Sequence, residues 1–410
     1  MQRPLDATAT PVSETARSRL MNLDALRGLA LLGIFVVNST YVASAFHGTG
    51  VEDPAFTSTA DRTVGSVLTL LFETKFYLLF SFLFGYSFTL QRDSAERRGT
   101  PFTAAFLRRL AALFALGAAH AVLLFPGDIL TTYALLGVVL LVVGGMQTRT
   151  AATAAGTLLA LTATAYAGLG TLQAAFGPPS TLDAGNLTAQ ADQAAVLLSG
   201  GPVDVIDAHL RELPDVAALL LLFQAPCALA MFLFGLAAGK RGLLARPIHA
   251  TVLRRTQLIG FPIGLAGACL YAHATTHWTG TAGEAYAVAI DVLTAPALAA
   301  AYAATLLRLI RGRHGQRIAD LLAPAGRMAL SNYLAQSAVL AFIFTGYGLA
   351  EIGRLSPASV LVLVLVLYTI QLYASAIWMH THAYGPLEWF LRAATHLTVP
   401  PWRRHRQPAA

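Results

Sequence analysis

Long apolar stretches separated by short polar turns run through almost the whole chain. A helix that crosses a bilayer needs about 20 mostly apolar residues. Ten stretches qualify, near residues 25–45, 64–90, 106–125, 128–146, 150–173, 216–239, 254–273, 286–308, 327–347 and 357–379. The predicted elements are helices throughout. The expected fold class is all-α: a polytopic membrane protein with about ten transmembrane helices.

Composition agrees. Of 410 residues, 56% are apolar and only 12% charged, roughly half the charged share of soluble domains. That balance excludes a soluble globular enzyme. The formal charge of +7 is explained by where the basic residues fall. They gather in alternate turns, as Arg3, Arg17 and Arg19, Arg92 to Arg109, Arg149, Lys240 to Arg255, Arg308 to Arg317, and Arg392 to Arg406. Lys and Arg accumulate in cytoplasmic loops, so both termini are expected inside. The bilayer is the expected partner, and no nucleic acid is needed to account for the charge. The first run is too long for a signal-peptide core and reads as a retained helix. Cys227 and Cys269 lie within apolar runs without CxxC spacing and read as small buried hydrophobes.

The organisation this predicts has five parts: a cytoplasmic tail (1–22), a five-helix region (23–173), an extracytoplasmic acidic segment (174–215), a second five-helix region (216–380), and an interfacial segment with a basic tail (381–410). In the acidic segment, Pro178, Pro179 and Pro202 are expected to break regular structure. A short surface helix is expected around Gln190–Leu198, and the segment reads as a substrate-facing lid or as a plain linker. The tetrapeptide Phe-Leu-Phe-Gly recurs at 82–85 and 232–235 but is too short to establish a repeat.

Polar groups inside apolar runs are costly unless they meet partners or water, so they mark candidate chemistry. Arg27 and Asn38 are eleven residues apart, about 16 Å along a helix and on nearly the same face. Arg27 is placed at the cytoplasmic mouth and Asn38 near the midplane. Glu73 and Lys75 are two residues apart, point to different helix faces, and each needs its own partner. His120 and Asp128 flank a Pro126-Gly127 turn. Asp128 would open the next helix, where a carboxylate suits the dipole, and could orient the imidazole. The bland alternatives are a snorkelling Arg, a helix-gluing Asn, a structural ion pair, and a capping Asp beside a packed His. Tyr133 lies one turn further on. Arg327 opens the ninth run, with Ser331, Asn332, Tyr333 and Gln336 on its polar face. His273 and His277 have zinc-like spacing without an adjacent third ligand, so no metal is expected.

Several motifs together resemble the YeiB-like family of multi-pass bacterial membrane proteins, the domain of unknown function 418. They are Leu23-Asp24-x-Leu26-Arg27-Gly28, Lys75-Phe76-Tyr77 with Phe80-Ser81-x2-Phe84-Gly85, and His120 with Gly127-Asp128-Ile129-Leu130-x2-Tyr133. Gly326-Arg327-Met328-x2-Ser331-Asn332-Tyr333 and Gly385-Pro386-Leu387-Glu388-Trp389 complete the set. The resemblance implies the bacterial cytoplasmic (inner) membrane. The family is in turn distantly similar to acyltransferase-3 type enzymes, which carry Arg–x10–His on the first helix and Glu-x2-Phe-Tyr on a later one. Here Glu73-x2-Phe76-Tyr77 agrees, but Arg27–x10 ends in Asn38, which cannot act as a general base.

What that similarity implies is transfer of an acyl group from cytoplasmic acyl-CoA to an outer hydroxyl or amine on a glycan, lipid or secondary metabolite, with no bound cofactor. His120 then becomes the candidate base, Asp128 its orienting carboxylate and Glu73 an auxiliary acid or base. Arg27, Asn38, Lys75, Tyr133, Arg327 and Asn332 are candidates for holding donor or acceptor. A small-molecule transporter or exporter, and a non-catalytic membrane partner, are the competing classes.

Overall fold

The structure is a computed structural model that describes residues 14–177 and 184–404. Among these residues the chain forms α-helices and no strand. In order they are α1 (Glu14–Ala43), α2 (Thr59–Leu71), α3 (Lys75–Arg97), α4 (Phe102–Leu123), α5 (Ile129–Val143), α6 (Thr148–Phe176), α7 (Ala184–Ser199) and α8 (Pro202–Leu219). A π-helical turn, Leu220–Gln224, leads into α9 (Ala225–Lys240). There follow α10 (Ala250–His277), α11 (Ala282–Ile310), α12 (Gly315–Arg327), α13 (Ala329–Phe344), α14 (Pro357–Thr381) and α15 (Pro386–His396). Among the described residues, eight helical stretches are long and apolar enough to cross a membrane, while α5 and α13 are apolar but shorter.

Several sequence expectations change in detail. The run 64–90 is not one helix. It is interrupted at Phe72–Thr74, where Thr74 adopts a left-handed φ of 66°, so Glu73 sits in the break and Lys75 opens α3. The run 327–347 starts later than expected, because Arg327 ends α12 and Met328 separates it from α13. The segment expected as a loop between 309 and 326 contains α12, an amphipathic helix packed along α1. The acidic segment 174–215 is largely helical in its described part. Its expected surface helix is α7, while Pro202 starts α8 rather than breaking it, since proline at the first helical position loses no intrahelical bond. Pro178, Pro179 and Arg406 lie outside the described residues. So does the tail up to residue 13, and α1 already begins at Glu14.

The bundle is held by close helix approaches. α3 and α9 run side by side with Gly85 against the Phe232 carbonyl and Gly235 against the Phe82 carbonyl. The two copies of Phe-Leu-Phe-Gly therefore pack on each other, and Phe84 stacks on Phe232 at 4.6 Å. A side chain at Gly235 would collide with the Phe82 backbone, which cannot move as a flexible tip could. Gly235→Leu is expected to cost at least about 1–3 kcal/mol, read as a lowered melting temperature in detergent. Val142→Ala on the exposed face of α5 should leave the melting temperature nearly unchanged.

The basic helix ends gather at one end of the bundle. Arg92 donates to the Gly144 carbonyl at 3.1 Å, Lys240 to the Met146 carbonyl, and Arg311 to the Ile248 carbonyl. The other end is tied by Gly353 N–H to the Ala43 carbonyl and Gly346 N–H to the Leu198 carbonyl, both 2.8 Å. Through the second bond α7 docks on the turn after α13.

Candidate functional site

The Pro126-Gly127 turn brings the last turn of α4 against the first of α5. Asp128 caps α5, its Oδ2 accepting the Thr131 N–H at 2.7 Å. Its Oδ1 lies 2.9 Å from His120 Nδ1. Gly117, one turn before His120, leaves room for the carboxylate against α4. Both side chains are buried, at 0% and 1% exposure. A carboxylate accepting from Nδ1–H sets the tautomer of the ring and leaves the Nε2 lone pair available. Nε2 is buried with no hydrogen-bond partner among the described residues. The Tyr333 ring lies over the imidazole, with centroids 5.0 Å apart, and His209 of α8 closes the same corner through its Nδ1, 3.0 Å from the Val122 carbonyl.

Beside this pair is a cavity of about 70 Å³, room for a few water molecules. It is lined by Val37 and Asn38 of α1, Phe72 and Thr74 of the α2–α3 break, Tyr77 of α3, Gly127 and Ile129, Gln224 of the π-helical turn, and Tyr333 of α13. Tyr333 therefore touches both the cavity and His120. Three departures from regular helix face this one space: the break, the π turn and the α4–α5 turn. Irregular backbone at membrane depth is tolerated where it is enclosed by protein or lines a cavity, and π turns are frequent at functional sites.

The break also separates two pairs of ionisable groups, one part-buried and one fully buried. Glu73 accepts from Thr69 Oγ1 at 3.1 Å and lies 3.3 Å from His47 Nε2. Lys75, fully buried, faces Asp291 of α11 at 3.5 Å and sits over the Tyr271 ring at 5.7 Å. Thr74 Oγ1 donates to the other Asp291 oxygen at 2.7 Å. Glu73 and Lys75 thus take different partners, as their two-residue spacing predicts.

The remaining candidates lie apart from His120. Arg27 is held by Asp24 and by the Ser87 hydroxyl, each at 2.6 Å. Tyr133 shares a 2.6 Å hydrogen bond with Ser81 and donates to the Tyr77 carbonyl at 3.1 Å, buried against Phe84 and Phe232. Asn332 donates to the Ala325 carbonyl and to Ser375, both 3.0 Å, on the side of α13 that faces α12 and α14. Arg327 reaches the Ala383 carbonyl at 3.4 Å. His273 and His277 stack on each other at 4.3 Å in exposed positions. Residues that sequence reasoning did not single out for the site are His209, Gln224 and Asp291. Asp291 and Gln224 each interrupt an apolar run, which was the available signal.

At the basic end, the Gly-Pro-Leu-Glu-Trp motif fastens α13. Glu388 accepts from the N–H groups of Leu330 and Ser331 at 2.7 and 3.1 Å and from the Ser331 hydroxyl at 2.6 Å. Burial pushes the Glu388 carboxyl above its usual range, against the opposing pull of the Ser331 hydrogen bonds. Because its folded pKa is raised, the contribution of this carboxyl to stability is complete at pH below its unfolded value and lost as pH rises through the folded one. Tm measured from pH 4 to 8 should therefore show a fall that Glu388→Gln removes. Glu388→Ala, leaving three donors unmatched, should cost about 1–3 kcal/mol.

A family profile described as "Protein of unknown function (DUF418)" matches residues 238–398, from the end of α9 through α15. The uncharacterized protein YxaH of Bacillus subtilis is 31% identical over 409 residues, covering 93% of this chain and 96% of that protein. The chain belongs to the DUF418 family. A 39.9 kDa protein from the amylase 3' region of Bacillus acidopullulyticus is 29% identical, covering 92% of this chain and 94% of its own length. YeiB of Escherichia coli is 27% identical, with 92% and 96% covered. The profile takes in Asp291, Tyr333 and Glu388. The likeness to YxaH, YeiB and the amylase-region protein extends over nearly the whole DUF418 chain.

Proposed function

We propose that this DUF418 protein is a transmembrane acyltransferase of the bacterial cytoplasmic membrane. The basic end and both termini face the cytoplasm, acyl-CoA is the donor, and the acceptor is a hydroxyl or amine of a glycan, lipid or secondary metabolite at the opposite face. The observation that supports this most is the buried His120–Asp128 pair, whose Nε2 has no hydrogen-bond partner among the described residues and whose neighbours Gly127, Ile129 and Tyr333 line a cavity built from broken helices. In the reaction His120 Nε2 takes the proton of the acceptor O–H or N–H. The acceptor atom bonds to the thioester carbonyl carbon, the C–S bond breaks, and the CoA thiolate leaves and takes up the proton from His120. Asp128 orients the imidazole and balances its transient positive charge. Asn38, from the cavity wall, donates to the carbonyl oxygen as negative charge develops there.

A second reading is favoured by one observation. A helix interrupted at Glu73–Thr74 beside a buried Lys75–Asp291 pair is the arrangement in which transporters place substrate and coupling-ion sites. Purified protein in liposomes, with acetyl-CoA labelled in the acetyl group on the basic side and candidate acceptors on the other, separates the two. Acyl transfer predicts label on the acceptor together with free CoA. Passage of an unaltered solute, with acetyl-CoA left intact, would make the protein a transporter.

A further inference from the structure

A second cavity lies at the basic end, where α3 runs past the aromatic core. It occupies about 440 Å³ between the C-terminal half of α3 and the turn joining α9 to α10, and its walls include Tyr86, Asp93, Lys240, Arg241, Gly242 and Arg246. Tyr86 follows Tyr77, which lines the first cavity, by nine residues on the same helix, about 13 Å along the axis. The packed rings of Phe80, Phe84, Tyr133 and Phe232 occupy the interval.

The charges around this second space are unbalanced. Three cations face one carboxylate, Asp93, for a net of +2. Lys240 is engaged with the Met146 carbonyl, whereas Arg241 and Arg246 make no side-chain hydrogen bond or ion pair among the described residues. The turn that carries them is shaped for close approach. Gly242 takes a φ of 61°, and the Leu244 N–H donates to the Tyr86 hydroxyl at 3.2 Å, which fixes the turn to α3. Two unpaired guanidiniums on a fixed turn at the mouth of a cavity are suited to phosphate oxygens, which they can bind in a forked, charge-assisted manner.

We propose that this pocket binds a phosphate-bearing ligand through Arg241 and Arg246, and that in the acyl-transfer reading, on which this identification of the ligand rests, it holds the phosphates of the CoA donor. The shared chemistry is a phosphomonoester or pyrophosphate, which a free nucleotide or the headgroup of an anionic lipid also offers. Asp93 limits how much negative charge the pocket accepts.

The test is equilibrium binding to the full-length protein in nanodiscs of phosphatidylcholine, with CoA, dephospho-CoA, ATP and inorganic pyrophosphate as probes. The double variant Arg241→Gln/Arg246→Gln should weaken CoA binding by about tenfold or more, the loss of charge-assisted bonds. Arg254→Gln, an exposed cation at the same end that does not line the pocket, should leave it unchanged, and Asp93→Asn should tighten it. Equal weakening by Arg254→Gln, or no weakening by the double variant while its melting temperature holds, overturns the pocket. If dephospho-CoA and pyrophosphate bind as CoA does, a pyrophosphate is the element recognised; if only CoA binds, the phosphomonoester is. Competition by phosphatidic acid added to the nanodiscs, with none of the soluble probes binding, would assign the pocket to lipid headgroups and overturn its role as a donor site. Binding that follows this pattern without any acyl transfer would leave the pocket standing and remove the enzymatic reading. Acyl transfer that survives the double variant with an unchanged KM for acetyl-CoA would do the reverse.

Discussion

Asp291→Ala will strongly destabilise the protein, by about 3–5 kcal/mol, the range found when one partner of a buried ion pair is removed. Lys75 has no exposure, and the direct contacts left to its ammonium are the Thr69 carbonyl at 3.5 Å and the face of Tyr271. Neither carries a full negative charge, and the nearby Glu73 carboxylate is already engaged by Thr69 and His47. Thr74, held in a left-handed conformation, would also lose the acceptor of its 2.7 Å hydrogen bond, so the strained break would lose one of its fastenings. The same cost is expected for Lys75→Ala. The double variant Lys75→Met/Asp291→Leu, which removes both charges and keeps the volume, should recover most of the loss, because a buried pair and a well-packed apolar pair are often close in stability. Thermal unfolding of the four proteins in one detergent checks this. Equal melting temperatures for wild type and Asp291→Ala would show that the pair does not hold α3 to α11.

Asp128→Asn will leave the fold almost untouched and lower acyl transfer by about 100-fold or more. The two oxygens of Asp128 do separate things. Oδ2 caps α5 through Thr131, and asparagine caps helices as well as aspartate. Oδ1 orients His120, and a neutral amide neither selects the Nδ1–H tautomer nor balances an imidazolium. A capping aspartate beside a merely packed histidine would tolerate the exchange in every assay. An orienting carboxylate tolerates it only in the melt. Rates of label transfer to the acceptor, compared with melting temperatures of the same preparations, separate these roles.

The helical, membrane-embedded architecture was legible because its signal is local. An apolar run such as 357–379 needs no partner to be recognised. The His120–Asp128 pair was legible for the same reason: a two-residue Pro-Gly turn leaves a side chain at the end of one helix little choice but to face the start of the next. Glu73 and Lys75 could be seen to need separate partners, but not which ones. Asp291 and His47 reach them through packing of distant elements, and spacing along the chain carries no record of that. The interruption at Thr74 was hidden by an unbroken apolar pattern on either side of it. Arg27 shows a similar limit. Its x10 spacing to Asn38 showed that the two lie on one face about 16 Å apart, but not that Asp24 and Ser87 would hold its guanidinium.

In the proposed reaction His120 is the base, and sided acyl transfer by His120→Gln in liposomes tests that role most directly. Glutamine is close in size to the imidazole and retains an amide to meet Asp128, so the melting temperature should stay near that of wild type. Appearance of labelled acetyl groups on the acceptor should fall to the level of empty liposomes. Transfer at the wild-type rate by a correctly folded His120→Gln protein would contradict the assignment.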